Sequence, residues 1–130
     1  MNASLQLNLA IAWLWVLLGF AGGAVLGMNF HKENWLGGYG SWKRRLYRLG
    51  HISCFGLALI NFMFYVTGKL ALSSGQFPTL ASQAFLLGAV TMPICCVLAA
   101  HFPKLRSLFA LPVCSLIAGA CITILEVIKL

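Results

Sequence analysis

Four long apolar segments, separated by short polar stretches, constrain this chain more than any other feature of its sequence. They run over residues 7–29, 50–68, 81–100 and 108–128. A helix needs about 20 apolar residues to cross a bilayer, and each segment is close to that length. Of the residues, 61% are hydrophobic and only 8% are charged, which is far from the composition of soluble domains. The sequence therefore predicts an all-α integral membrane protein, a four-transmembrane-helix antiparallel bundle forming one membrane domain over residues 1–130.

The first loop, residues 30–49, is the longest polar stretch and holds five of the nine basic residues. Its glycines are expected to break the chain, and Ser41 is expected to cap a short amphipathic helix that ends at Arg48. Such a helix lies at a membrane surface, with its apolar side in the headgroup region and its cations on anionic lipid headgroups. An acidic surface of a partner protein could use the same cations. The predicted lipid- or partner-binding residues are Trp42, Lys43, Arg44, Arg45 and Arg48.

The distribution of basic residues among the loops predicts an orientation. The first and third loops hold seven of them, whereas the N-terminus, the second loop (69–83) and the C-terminus hold two, Lys69 and Lys129. Basic loops stay in the cytoplasm, so we expect a multi-pass protein of the cell inner (plasma) membrane with both termini on the outer or periplasmic side. Because the net charge of +7 lies mainly in two loops, it reports orientation, and no nucleic-acid partner is expected.

Small residues at helical spacing predict where the helices pack closely. Gly19, Gly23 and Gly27 recur every four residues, so another backbone can approach this face of the first helix. A groove for a flat cofactor or a lipid is the alternative. Further packing faces are expected in the third helix at Ala84 and Gly88, and in the fourth helix at Ala110, Cys114, Ala118 and Cys121.

The second helix carries a stripe of small and polar residues. An amide near mid-membrane is costly without a partner, so Asn61 is expected to bond to another helix, and Tyr65 to lie on the same packing face. A ligand contact at Asn61 is the alternative. The members of the stripe are His51, Cys54, Ala58, Asn61, Tyr65 and Gly68.

The inventory of catalytic residues is small. The acids are Glu33 and Glu126, which do not form a pair, and no nucleophile, metalloprotease or phosphate-binding motif is present. The five cysteines lie in apolar segments without metal-binding or disulfide spacing. The sequence therefore predicts a non-enzymatic protein. We interpret it as a structural or accessory subunit of a larger inner-membrane complex, such as an electron-transfer complex, with other membrane subunits as partners.

The histidines suggest an alternative function. His31 ends the first helix, His51 begins the second and His101 ends the third, so all three should lie at similar depth on the cytoplasmic side. Membrane haem b takes two histidines from neighbouring helices, and His51 with His101 is the expected ligand pair, with His31 in reserve. A quinone pocket near Trp42, Tyr47 and His51 is a related hypothesis, and so is a copper or other transition-metal site at His51 and Cys54. The alternative is thus a haem b- or quinone-binding electron-transfer membrane protein, and a carrier of lipids or small molecules is a third hypothesis.

Overall fold

The computed structural model describes residues 3–71 and 79–129, and helices account for nearly all of them. The long helices are α1 (Ala3–Asn29), α2 (Trp42–Ala71), α3 (Thr79–His101) and α4 (Ala110–Ile128). Short 3-10 turns, Trp35–Gly37 and Pro103–Phe109, lie in the first and third connections. Within the described ranges there is no strand. The all-α prediction is confirmed, and four helices (α4 counted with the turn before it) are long and apolar enough to cross a membrane.

The prediction of a separate amphipathic helix ending at Arg48 is wrong. α2 begins at Trp42 and continues through Gly50 to Ala71 as one helix of 30 residues. The apolar side of its first turns packs against α3: Leu46 is 6% exposed and clusters with Ala99 and Ala100. Close packing also explains why Gly50 does not end the helix, since a Cβ there would lie 3.2 Å from the Cβ of Cys96.

The turn before α2 is held in a left-handed conformation that glycine adopts freely and leucine only at a cost in free energy. Leu36, Gly37 and Gly38 have φ angles of 55°, 87° and 93°. A leucine in this region costs roughly 1–3 kcal/mol. Ser41 fastens the turn, because its hydroxyl donates to the Leu36 carbonyl at 2.6 Å. The same Oγ accepts the N–H of Arg44 at 3.2 Å, so Ser41 caps the helix as predicted, although that helix is the long one.

The connection between α2 and α3 is shorter than the sequence predicted. Lys69 lies inside α2 and Gln83 inside α3, so neither belongs to a loop. The middle of the predicted loop, including Ser73, Ser74, Gly75 and Pro78, lies outside the described residues. The third helix also continues through Pro93.

Two aromatic rings of α2 pack against glycines of α1. A Cβ on Gly19 would lie 2.7 Å from Cζ of Phe55, and one on Gly23 would lie 2.8 Å from Cε1 of His51. Apart from its chain neighbours and the backbone of its own helix, no described atom comes within 4 Å of the corresponding position on Gly27. The first two glycines of the predicted face therefore accept side chains of α2, and the third is uncovered.

α3 and α4 each place one large side chain against a glycine of the other helix. A Cβ on Gly119 of α4 would lie 3.0 Å from Cε1 of Phe85, and one on Gly88 of α3 would lie 2.5 Å from Cδ2 of Leu116. The hydroxyl of Ser115 donates to the carbonyl of Ala84 beside this contact. α4 packs chiefly against α3 and the turn before it, whereas α1, α2 and α3 all contact one another.

The packing face predicted for the fourth helix is wrong for contacts within the chain. Gly119 and Pro112 are the buried residues of α4. The ring of Phe85 packs where a side chain of α4 would otherwise lie. Gly119 leaves this space free, whereas the Cβ of an alanine or cysteine would crowd the ring. The predicted residues Ala110, Cys114, Ala118 and Cys121 are all exposed.

Candidate functional site

Aromatic and histidine side chains meet where the start of α2 contacts the end of α3. The hydroxyl of Tyr47 is hydrogen-bonded to Nε2 of His101 at 2.9 Å. The indole Nε1 of Trp42 donates to the carbonyl of Ala99 at 2.9 Å. These two bonds fix the first turns of α2 to the last turns of α3. His51 follows Tyr47 by one helical turn, so both side chains project from the same side of α2.

A cleft of ≈ 310 Å³ lies beside this group, between α1, α2 and α3. We call it the His51 cleft. Its walls are mainly apolar, and its described lining contains no acidic side chain, lysine or arginine. Its lining includes the glycine Gly22 and the aromatic, imidazole and thiol side chains of Trp35, Tyr47, His51, Cys54 and Cys96.

His51 contributes a buried, unpaired nitrogen to the cleft. Its Nδ1 is buried and has no hydrogen-bond partner among the described residues. The ring packs edge-on against Phe55, with centroids 5.4 Å apart and planes at 85°, and it contacts Gly23 of α1. A buried polar atom without a partner typically costs about 1–3 kcal/mol. The ring is therefore well positioned and incompletely bonded.

The three histidines predicted as cofactor ligands are held in different settings. His101 already shares its Nε2 with Tyr47, His51 lies against α1, and His31 is exposed just beyond α1. The His51 ring occupies the space over Gly23 that a flat macrocycle would need. In the described part of the chain, no group of three or more His, Cys, Asp and Glu residues is placed to hold a metal ion. Haem ligation by two of these histidines and a copper site at His51 and Cys54 therefore stay predictions.

Farther along α2, a buried polar network connects three helices. Asn8 of α1 donates through Nδ2 to Oδ1 of Asn61 at 2.8 Å, and Asn61 donates through its own Nδ2 to the Leu57 carbonyl at 2.8 Å. The hydroxyl of Ser82 on α3 donates to Oδ1 of Asn8. The three side chains are 0%, 0% and 1% exposed. Asn61 was expected to bond to another helix, and its partner there is Asn8. Tyr65 is half-buried one turn beyond Asn61.

Sequence reasoning missed Asn8 and Ser82. Asn8 is an isolated amide within the first apolar segment, and this was the available signal, because such a group also needs a partner in a membrane. Ser82 gave no signal of its own, since a lone serine in a helix often bonds to its own backbone. Only the packing of α1 on α3 shows that Ser82 bonds to Asn8.

Arg44 is buried in an aromatic cage, whereas the sequence placed it on an outward cationic face. It is 2% exposed, and its guanidinium carbon lies 5.4, 5.6 and 5.1 Å from the ring centroids of Phe30, Trp35 and Tyr39. One terminal nitrogen donates to the Phe30 carbonyl at 3.3 Å, and Nε is buried without a partner among the described residues. Among the described residues, the salt bridge is the one between Lys129 and Glu126 at the end of α4. No described carboxylate therefore pairs with Arg44.

The other predicted surface residues are distributed around this cage. Lys43 and Arg45 are exposed, and Trp42 is 47% exposed while its indole N–H stays bonded to α3. Arg48 is half-buried with its guanidinium carbon 4.5 Å from the ring centroid of Tyr39. Of the five predicted lipid- or partner-binding residues, Lys43 and Arg45 are therefore the cations most open to an external partner.

Comparison of the chain with protein-family models, with curated proteins and with solved structures finds no match. Its function must therefore be argued from its own residues. The geometry offers a cleft with an unpaired imidazole, a satisfied polar network, and a fourth helix with an uncovered face.

Proposed function

We propose that this chain is a non-enzymatic, multi-pass protein of the inner membrane that serves as a structural or accessory subunit of a larger complex. The observation that carries the proposal is the uncovered small-residue face of α4. Cys114, Ala118 and Cys121 follow one another at intervals of four and three residues and are all exposed. In a bilayer, small residues at this spacing allow another helix to approach closely. Within the chain, comparable positions such as Gly19 and Gly88 are already filled.

The proposed arrangement is an antiparallel bundle of four membrane-crossing helices. The hydrogen bond from Trp42 to Ala99 joins the start of α2 to the end of α3, which supports opposite directions for these helices. Leu5, at the start of α1, packs on Gly68 near the end of α2, which supports the same relation there. Many large apolar side chains are exposed along the helices, as a hydrocarbon environment requires.

The proposed orientation places the first and third connections in the cytoplasm and both termini on the outer side. Its support is the seven basic residues of the first connection, the first turns of α2 and the third connection, since the contact between the start of α2 and the end of α3 draws these parts together. Lys43 and Arg45 are exposed there and would contact anionic lipid headgroups. Each such cation contributes about 1 kcal/mol of attraction to an anionic membrane. The α4 face would contact other membrane subunits.

The test compares two bulky substitutions on α4 in protein extracted with mild detergent. Ala118→Leu places a large side chain on the uncovered face, whereas Ala120→Leu makes the same change on another side of the same helix. We expect the wild type and Ala120→Leu to migrate with larger partner proteins on a native gel, and Ala118→Leu to migrate alone. The helical circular dichroism of both variants should match that of the wild type.

Two results would contradict the subunit role. One is a wild-type chain that migrates alone in every gentle detergent tried. The other is an Ala118→Leu variant that keeps its partners in full, because the α4 face would then not be the contact.

A further inference from the structure

The lining of the His51 cleft includes residues with little or no side chain. Gly22 of α1, Gly50 of α2 and Pro93 of α3 line it, so each of these three helices contributes a position with little or no side chain. A Cβ on Gly22 would lie 3.7 Å from Nδ1 of His51, an ordinary van der Waals distance, so this glycine brings the backbone of α1 close to the imidazole. The volume of ≈ 310 Å³ lies at the lower end of the range for small-molecule sites. A cleft of this volume suits the head group of a ligand with one ring or two fused rings.

His51 is the buried group of the cleft that keeps free hydrogen-bonding capacity among the described residues. The Tyr47 hydroxyl is engaged with His101, and Sγ of Cys54 donates to the Gly50 carbonyl at 3.3 Å. His51 keeps a buried Nδ1 that no described residue pairs, and a half-turn of the ring exchanges Nδ1 with Cδ2 without changing the space it fills. A neutral imidazole offers one donor and one acceptor, so it can bond to a carbonyl or hydroxyl oxygen. Because the described lining carries no lysine, arginine or carboxylate, the ligand that fits is neutral.

The cleft opens on the apolar outside of the helices. Leu18, Val25 and Val97 line it and are 41%, 53% and 45% exposed. These are the side chains that acyl chains would surround if the helices cross a bilayer. A ligand would therefore enter sideways from the lipid and leave a long apolar tail along these residues.

We infer that the His51 cleft binds the head group of an isoprenoid quinone, a flat neutral ring with two carbonyl oxygens and an apolar tail. His51 donates to one carbonyl oxygen, and Trp35 supplies an aromatic surface for the ring. A phosphate-bearing headgroup does not fit, because the described lining offers it no lysine or arginine, and a plain acyl chain would make no use of His51. This site is separate from the α4 face on which the subunit role rests.

The experiment is photolabelling of the purified full chain in phosphatidylcholine nanodiscs with an azido-substituted quinone. Labelled peptides are identified by mass spectrometry, with decyl-ubiquinone and 1-decanol as competitors. We expect the label on residues 18–25 and 96–97, displaced by decyl-ubiquinone and at least tenfold less well by 1-decanol. His51→Phe keeps an aromatic ring against Gly23 and should reduce labelling at least tenfold.

Gly22→Val and Gly27→Val form a matched pair that tests the cleft without touching His51. Gly22 lines the cleft, whereas Gly27 does not and has no described neighbour within 4 Å of its Cβ position. Gly22→Val should lower labelling at least tenfold and Gly27→Val should leave it unchanged, with both variants showing wild-type circular dichroism. The inference is overturned by label spread over all exposed helices, by equal displacement with 1-decanol, or by wild-type labelling of Gly22→Val or His51→Phe. Loss of partner proteins in the Ala118→Leu test would leave these results unaffected.

Discussion

Two regions of α2 differ in whether their buried polar groups have hydrogen-bond partners. Near Asn61, the two amides and the hydroxyl of the network bond to one another, and none of these three side chains has a buried nitrogen or oxygen without a partner. Near His51, ten residues or roughly 15 Å earlier along the helix, buried nitrogens of His51 and Arg44 have no partner among the described residues. Satisfied groups hold helices together, whereas unsatisfied ones are available to a ligand or to a rearrangement. The comparison separates the structural end of the molecule from the end that is suited to binding.

The largest effect is expected at the satisfied end. Asn61→Leu removes the acceptor of Asn8 and leaves that amide buried, so it should lower the free energy of unfolding by about 2 kcal/mol. The measurement is SDS-induced unfolding in detergent micelles followed by circular dichroism. Thr91→Val is the control, because Thr91 bonds to the Leu87 carbonyl within its own helix at 2.7 Å. Adding Asn8→Leu to Asn61→Leu should cost less than the sum of the single changes, and strict additivity would argue against the network.

A smaller effect is expected at the aromatic cage. Arg44→Lys keeps the charge and loses the planar group that faces three rings, so the first connection should be destabilised by about 1 kcal/mol. Hydrogen exchange of the amides in residues 30–41 should become faster. Arg45→Lys changes an exposed neighbour and should leave exchange unchanged. If both variants exchange at the wild-type rate, the cage does not hold the connection, and the contrast between the two regions weakens.

The smallest effect is expected for the bond between α2 and α3 beside the cleft. Tyr47→Phe removes the hydroxyl that meets His101, and because His101 is exposed, the expected loss of stability is only about 0.5 kcal/mol. The change is better seen as an altered nitrogen chemical shift of His101 Nε2 in NMR spectra. Tyr65→Phe, at the other end of the same helix, should leave that signal in place. An unchanged signal in both variants would remove this bond from the site.

The four long helices could be predicted because the length and apolarity of a segment are local properties. The start of α2 could not, because the spacing of Trp42, Leu46 and Leu49 is the same for a helix lying on lipid as for one packed on α3. Only the neighbouring helix decides between the two, and the burial of Leu46 shows the outcome.

The candidate site was predictable to a similar extent. His51 and Asn61 stood out as polar residues on an otherwise apolar helix, but their neighbours depend on how the helices pack. Three consecutive basic residues, 43–45, look alike in the sequence, and only the position of the loop rings determines that Arg44 is the buried one. The small residues of α4 did not predict its contact within the chain, because the glycine that receives Phe85 lies on another side of the helix.

The paired contacts between α3 and α4 also fix how far α4 can slide. Moving α4 by one turn along its axis, about 5.4 Å, would bring Ser115 or Thr123 to the position that Gly119 now takes against Phe85. Either residue has a side chain where the ring lies, while Leu116 would at the same time leave Gly88. A ratchet-like shift of α4 past α3 is therefore blocked by steric overlap. If α4 moves during assembly, it must separate from α3 as a whole and return to the same register.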